Sequence, residues 1–588
     1  MSSLGSPSTL FLAKKGAYEV ERSLRFNRSD SAHLTYTPAS ASSDRTKVTI
    51  SAWVKKCGIN EGEYMIAHAG TTNNNRTQLR FYTSSGFDNI SFAARVSGSW
   101  VLQLDTTAKF RDPSAWYHIV ARCDTTNGTA NIYINGVEET SFTTSTKPSG
   151  SQSLEFFNNS EHQIGQRGYD NTGYMNGYIA EINVIQGQAL DSSYFGKTDV
   201  LTGQWNPKKY TGGYGDGFYL NFSDNSGTTA TTLGKDNSGN GNNFTPNNFN
   251  THDSLIDTPT NNFCTLNSVF NHHNRGELVL SEGNLKGTNG GGGDDLCHGT
   301  FGIKSGKWYF EATGSSVQTQ THFVGVQTSD APQIQGGLYR NNGYIVNFSG
   351  TLTTGNGTYD SGDVMGVAID ADAGKVYFAK NNTYINSGNP STGANASFTY
   401  TPSSTDHILP ALMFDNISHT CIWYINFGQD SSFAGFKTAQ GNTDSGGKGD
   451  FYYAPPSGYK ALCSANLPDP TILFPNKHFE TLVYTGDGTS GRSITGLEFS
   501  PDWVWIKRRD STHTHNLYDT VRGATKYLAS ANTNVEGTES TWMTAFLSNG
   551  FQVGNGAPVN NSSTSYVAWN WDAGETDSAT YTVKVVSD

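Results

Sequence analysis

The sequence predicts an all-β protein of several domains, and three observations carry that expectation. First, helical periodicity is scarce, whereas apolar residues alternate or run together over about five to eight residues, as strands require. Second, the chain is poor in charge (15%) yet holds 12% aromatics and 65 glycines, against a usual charged share of about 25%. Aromatic side chains at that level supply the apolar burial that offsets ordering entropy. The Asn, Ser, Thr and Gly between them therefore read as polar loops rather than disorder. Third, 588 residues exceed a single hydrophobic core and imply roughly three to four domains.

Residues 1–21 are expected to form an N-terminal arm. Within it, Thr9-Leu10-Phe11-Leu12-Ala13 is too short for a signal h-region, and Lys14-Lys15 follow it rather than precede it. The strands begin in segment 22–196. Val48, Ile50, Ala52 and Val54 alternate to face inward while Trp53 faces outward, the pattern of a strand within two stacked sheets. Trp116-Tyr117-His118-Ile119-Val120-Ala121 reads as another strand. Residues 130–137 read as a hairpin around Asn135-Gly136, which tolerates the two positive φ angles of a type I′ turn.

These segments, with Ser23-Leu24-Arg25-Phe26-Asn27, Asp112-Pro113-Ser114-Ala115, His162-Gln163-Ile164-Gly165 and Gly177-Tyr178-Ile179-Ala180-Glu181-Ile182, resemble the laminin-G-like, concanavalin A-type jelly-roll domain. The resemblance spans residues 22–196 and implies a β-sandwich that binds carbohydrate or protein. Residues 197–262 read as an aromatic, Asn/Gly-rich connector, with Trp205-Asn206-Pro207 and Gly217-Phe218-Tyr219-Leu220-Asn221-Phe222. Its aromatics suggest docking on a neighbouring domain, because free linkers carry few.

Residues 263–440 resemble the SPRY domain, also a concanavalin A-like sandwich. The carrying segments are Gly306-Lys307-Trp308-Tyr309-Phe310-Glu311, Phe323-Val324-Gly325-Val326, 362–370, 374–381 and Ile425-Asn426-Phe427-Gly428-Gln429. That resemblance implies a recognition module whose matched residues are not catalytic. Gly- and Pro-rich residues 441–469 read as a linker. Residues 470–588 read as a third β-rich domain, from Trp503-Val504-Trp505-Ile506 and Tyr566-Val567-Ala568-Trp569-Asn570-Trp571. It resembles a domain that follows laminin-G-like and SPRY units in structural proteins of marine, especially cyanobacterial, phages. The strand-like 581–586 near the end suggests that the family's chain continues past residue 588.

The net charge of −12 argues against nucleic acid, which demands a basic face; Lys507-Arg508-Arg509 is the densest basic run and reads as a solvated strand end. No stretch approaches the about 18 apolar residues of a membrane span. Cys57, Cys123, Cys264, Cys297, Cys421 and Cys463 lie far apart without a CxxC pair, so zinc spacing is absent and the thiols read as buried small hydrophobes of a chain assembled in a reducing cytoplasm.

No catalytic, cofactor or metal residue is assigned. The E-x-D-x-x-E arrangement of concanavalin-fold glycosidases is missing, and Glu21, Glu61, Glu63 and Glu181 stand isolated. Gly290-Gly291-Gly292-Gly293 lacks the Lys-Ser/Thr of a phosphate loop. His513-Thr514-His515, placed on one strand face, has a spacing that can hold a metal, but a solvated pair is the plainer reading. His272-His273 is weaker. Asp294-Asp295 and Asp370-Ala371-Asp372 offer oxygens for calcium, though the latter suits a hairpin turn. Tyr169-Asp170-Asn171-Thr172-Gly173-Tyr174 and Tyr339-Arg340-Asn341-Asn342-Gly343-Tyr344 have the composition of sugar-binding loops, but a turn with a strand-edge aromatic is the plainer reading of each. The ligand-binding residues are left unknown.

The resemblances together imply a non-enzymatic bacteriophage tail-fibre or virion surface protein, assembled in the host cytoplasm and released by lysis. Its expected partners are a host cell-surface glycan or protein and other virion tail proteins, in a homotrimer, although no heptads or stalk support one. A purely structural tail or capsid-surface protein and a polysaccharide depolymerase stand as alternatives.

Overall fold

Strand periodicity becomes two stacked sheets at once in the first third of the chain. The structure, a computed structural model, describes residues 18–199, 202–269, 278–289, 295–317, 322–328, 336–346, 352–402, 407–414, 420–468, 472 and 474–573. His272-His273, Asp294 with the glycines before it, Thr9–Ala13 and 581–586 lie outside the described residues.

One sheet of the first sandwich runs Val137–Glu138, Thr129–Ile134, Trp116–Asp124, Lys47–Lys56, Gly177–Gln186, Ser23–Phe26, Ser254–Leu255. The other runs Phe142–Thr146, Ser99–Thr106, Phe87–Val96, Arg76–Ser84, Glu63–Ala69, His162–Ile164, His33–Tyr36, Thr245–Asn247. Val48, Ile50, Ala52 and Val54 enter the core between them, facing Tyr64, Leu79, Phe81, Phe92 and Leu104. Trp53 lies on the opposite face and stacks on His118 at 4.6 Å. The Asn135-Gly136 turn has φ of 47° and 86°, the two positive angles that a type I′ turn needs.

Most of the expected connector, from residue 206 to 262, belongs to the first compact unit. Phe218–Leu220 pairs with Gly177–Gln186, Thr245–Asn247 with His33–Tyr36, and Ser254–Leu255 with Ser23–Phe26. Phe218, Leu220, Phe222, Leu233 and Phe244 complete the core of the first sandwich. Each such burial stabilises by about 1.5–3 kcal/mol, which is why this segment docks so fully. The sequence hid it because its strands are only two or three residues long, between Asn/Gly turns.

The second sandwich pairs Lys307–Ser315 with Val364–Asp370 and Ile422–Asn426 in one sheet, and Ile408–Phe414 with His322–Thr328 and Asp295–His298 in the other. Residues 441–468 of the expected linker belong to it. Lys460–Ala461 adds in parallel to Lys307–Ser315, and Phe451, Tyr459, Ala461 and Cys463 are core residues. All six cysteines are buried and none forms a disulfide.

The two sandwiches form one compact unit, Met1–Lys197 with Asn206–Pro468. Buried ionic contacts join them. Arg25 is fully buried and contacts Asp253 at 2.8 Å, Asp430 at 3.3 Å and Glu282 at 3.6 Å. Burial opposes its charge, but the three carboxylates more than offset this and raise its pKa. Lys55 pairs with Asp257 at 2.8 Å, and Trp116 Nε1 donates to the same carboxylate at 3.2 Å. Tyr178 donates to the Gly283 carbonyl at 2.6 Å. These contacts pack part of the outward face of the first sheet against the second sandwich.

Thr198–Trp205 and Asp469–Asp588 form the other unit. Its main sheet runs Phe479–Thr485, Ser565–Trp571, Trp503–Arg508, Asn516–Asp519, Lys526–Ala529, Gly537–Thr538. Val504, Ile506, Tyr518, Tyr566 and Ala568 face its core. Phe479, Trp571 and Trp503 stand side by side in register on the opposite face. No helix among the described residues is long and apolar enough to cross a membrane.

Candidate functional site

Antiparallel register assembles one row of polar side chains across the outward face of the second sheet: Gln163 beside His68, His68 beside Gln78, Gln78 beside Ala93, Ala93 beside Gln103. A parallel row places Arg80 beside Ser91 and Ser91 beside Asp105. A third places Arg76 beside Arg95 and Arg95 beside Trp100. Period-two alternation forces this, because Leu79, Phe81, Phe92 and Leu104 take the core side.

The floor of this face is buried yet poorly satisfied. His68, Gln78 and Ser91 are each 0% exposed. Gln78 Oε1 and Nε2, His68 Nε2, Ser91 Oγ and one oxygen of Asp105 have no hydrogen-bond partner, nor do Nε of Arg76 and Arg80. Native chains leave few buried polar atoms unpaired, because each costs about 1–3 kcal/mol. This cluster on one sheet face has no hydrogen-bond partner among the described residues. Gln163 donates to Glu161, which turns its Oε1 toward His68 Nδ1 at 3.0 Å. The amide of Gly168 also approaches His68 Nδ1, at 3.4 Å. Burial pushes the His68 pKa down to about 4, keeping the ring neutral.

Over this floor runs an alternating stack of guanidinium and aromatic groups. Arg95 lies 5.1 Å from the Trp100 ring centre, and Arg76 lies 4.9 Å from Trp100 and 4.7 Å from Tyr169. Arg167 follows at 5.0 Å from Tyr169. Such contacts are worth about 0.5–2 kcal/mol each, so the rings fix the cations in a row. Arg76 and Arg95 bond only neutral acceptors: Asn73 for both, with Gly98 O for Arg95. Arg167 and Arg80 share Glu63, and Arg167 also holds Asp170 at 2.7 Å. Burial depresses the Arg76 pKa, and the charges of Arg95, Arg80 and Arg167 add to that. A surface hollow beside Glu63 is lined by Arg28, Arg167, Asn171, Thr172 and Tyr174.

The 169–174 loop therefore contributes Tyr169 to this face, whereas Asp170 and Thr172 are used to brace Arg167. The 339–344 loop does not match its sugar-binding reading. Tyr339 is fully buried, stacked on Phe378 at 5.4 Å, with its hydroxyl donating to Asn356 O and Gly357 O. His513 and His515 precede the Asn516–Asp519 strand rather than share a strand face, and His515 Nδ1 accepts from Trp505 at 3.0 Å. Asp370 accepts from Ala373 N and pairs with Lys307, while Asp372 accepts from Gly306 N, so both carboxylates serve the turn. Asp295 is buried within the Asp295–His298 strand. Among the described residues no group of three or more His, Cys, Asp or Glu is placed to hold a metal ion.

Glu181 is less plain than its sequence setting suggests. It takes a φ of 51° at a register shift in Gly177–Gln186, and its carboxylate accepts from Tyr18 at 2.7 Å and Tyr219 at 2.7 Å. Burial raises its pKa despite both hydroxyls.

Reasoning on sequence missed Arg76, Gln78, Arg80, Arg95 and Trp100. Their signal was the polar half of the alternation in 76–82 and 89–95, which reads as an ordinary solvated face until the register is known.

A model of the concanavalin A-like lectin/glucanases superfamily matches residues 28–193, and a model of a domain of unknown function (DUF7483) matches residues 474–588. A search of curated proteins found no match. Among solved structures, the chain is similar to domains LG4-5 of the mouse laminin alpha1 chain, at 9% identity, 70% coverage of this chain, 89% of that one and a TM-score of 0.24. It is similar to the SPRY domain of human HERC1 at 19% identity, 25% and 91% coverage and a TM-score of 0.21. A heptameric SAP-like pentraxin from Limulus polyphemus is similar at 16% identity, 30% and 80% coverage and a TM-score of 0.24. The fold expected from the sequence stands: the chain is all-β, with a laminin-G-like, concanavalin A-like sandwich first, a second sandwich after it, and a third β-rich unit.

Proposed function

We propose that this chain is a non-catalytic recognition protein of a bacteriophage particle, a tail fibre or other virion surface component, whose first sandwich binds a host cell-surface saccharide. The observation that carries the ligand class is the outward face of the second sheet, where buried polar atoms without partners underlie aromatic rings and guanidinium groups. Sugars meet such a face with hydroxyls for the polar atoms and apolar ring edges for the aromatics. The superfamily match over 28–193 supports the same reading through its lectin members. The virion assignment rests on the order of units in the sequence, and assembly in a homotrimer with other tail proteins follows from that assignment through the three-fold symmetry common to fibres. Repeated copies suit weak saccharide contacts, since avidity multiplies them by about 10²–10⁴.

The test is adsorption of the fluorescently labelled full chain to a panel of cyanobacterial and unrelated bacterial strains. Strain-selective binding, competed by polysaccharide released from the bound strain, is expected. Equal binding to all strains, or competition by surface protein alone, contradicts the saccharide reading. Antibody labelling of purified particles checks the virion placement, and an unshortened host polysaccharide after incubation checks the absence of catalysis.

A further inference from the structure

We infer that the outward face of the second sheet selects an acidic polysaccharide, whose carboxylate or sulfate groups seat on the guanidinium groups of Arg95 and Arg76. The inference rests on the saccharide reading above and names the class of saccharide.

Three observations converge on it. The chain as a whole carries −12, so a cationic row on one sheet face runs against the general balance and has a local purpose. Among the described residues neither Arg76 nor Arg95 has a carboxylate within ion-pair reach, although four arginines crowd the face around Glu63 and Asp170. The paired Arg80 and Arg167 are answered from within the chain, whereas Arg76 and Arg95, side by side without a counter-charge of their own, suit an anion. The alternating stack with Trp100 and Tyr169 then fixes the guanidinium planes before any ligand arrives. A planar fork held this way offers paired N–H donors to a carboxylate or sulfate at little further entropic cost.

The unpartnered atoms extend the same logic to the sugar itself. Arg76 Nε and Arg80 Nε are donors without acceptors, and Gln78 beneath them offers both a donor and an acceptor. An oxyanion with neighbouring hydroxyls supplies both complements. A neutral sugar supplies the hydroxyls alone and leaves the arginine charges uncompensated.

The experiment titrates the full chain with three polymers: polygalacturonate, dextran sulfate and neutral dextran. At least tenfold tighter binding to an acidic polymer than to dextran is expected, weakening as salt rises. Whichever acidic polymer meets this identifies the oxyanion. The double variant Arg76→Gln/Arg95→Gln is expected to lose at least tenfold in affinity. Arg95→Gln alone, at a half-buried position, is expected to lose severalfold with an unchanged melting temperature, which separates recognition from folding. Acidic-polymer binding that is unchanged in Arg95→Gln and in the double variant overturns the inference. Dextran binding as tight as the acidic polymers overturns it while leaving the saccharide reading standing. Binding to none of the three polymers, while released host polysaccharide still competes for strain adsorption, overturns the acidic class alone; loss of that competition as well overturns both.

Discussion

Two buried arginines in the same sandwich have opposite surroundings. Arg25 meets Asp253, Asp430 and Glu282 with no exposed surface, whereas Arg76, 6% exposed, is flanked by two aromatic rings and paired with no carboxylate. Burial alone does not tell structure from recognition; completeness of pairing does. A cation whose charge and donors are answered from within the chain holds two sandwiches together. One left unanswered is held ready for something outside.

The largest effect expected from this contrast is on Arg25. Arg25→Met removes one partner from a buried cluster and strands three carboxylates, at a cost of about 3–5 kcal/mol. Urea unfolding of the full chain checks it, and a change within error would break the comparison. Arg76→Gln should cost no more than about 1–2 kcal/mol, because only ring contacts and neutral acceptors are lost and repulsion from Arg95 is relieved. Melting temperature measures it directly.

Acid should weaken the first sandwich. Burial pushes the pKa of His68 and His162 down to about 4 and that of His118 down to about 3. A depressed histidine contributes stability that is fully present above the unfolded value of about 6.5 and lost as pH falls toward the folded value. Each such histidine therefore costs about 1.4 kcal/mol per pH unit below that point. In the second sandwich Glu311 has the opposite sign. Burial pushes its pKa up to about 7, even with the amides of Tyr452 and Tyr453 donating to it. Its contribution is present below about 4.5 and lost as pH rises through about 7. Melting curves of wild type and Glu311→Gln between pH 4.5 and 7 should diverge, the variant losing stability more steeply on acidification. Parallel curves would contradict the assignment.

The smallest effect sharpens the reading of the floor. Gln78→Leu replaces a buried amide without partners by an apolar side chain of similar size, and should be neutral or stabilising by about 1 kcal/mol. Saccharide affinity should fall in the same variant. A strongly destabilised Gln78→Leu would mean that the amide is satisfied within the fold.

The fold was largely legible in the sequence, because Val48 to Val54 alternate at the strand period and Asn135-Gly136 fits a single kind of turn. The docking of residues 206–262 was legible from their aromatics, but their strands are too short to show a period and so were read as a connector. They were recruited by burial of Phe218, Leu220 and Phe244 into a core built elsewhere. The candidate site was legible only at Tyr169. Arg76, Arg95 and Trp100 lie on successive strands and become neighbours through cross-strand register, while Arg167 joins them through Tyr169 from a loop much later in the sequence. Tyr339 misled for the converse reason: a Gly/Asn turn after it resembles a loop, but its ring belongs to the core.

The most direct test of the contrast measures folding and binding on one variant. Arg76→Gln/Arg95→Gln should melt within a few degrees of wild type while its affinity for an acidic polysaccharide falls at least tenfold. Undiminished affinity, or a loss that merely follows unfolding, would contradict the claim that these unpaired arginines are kept for recognition.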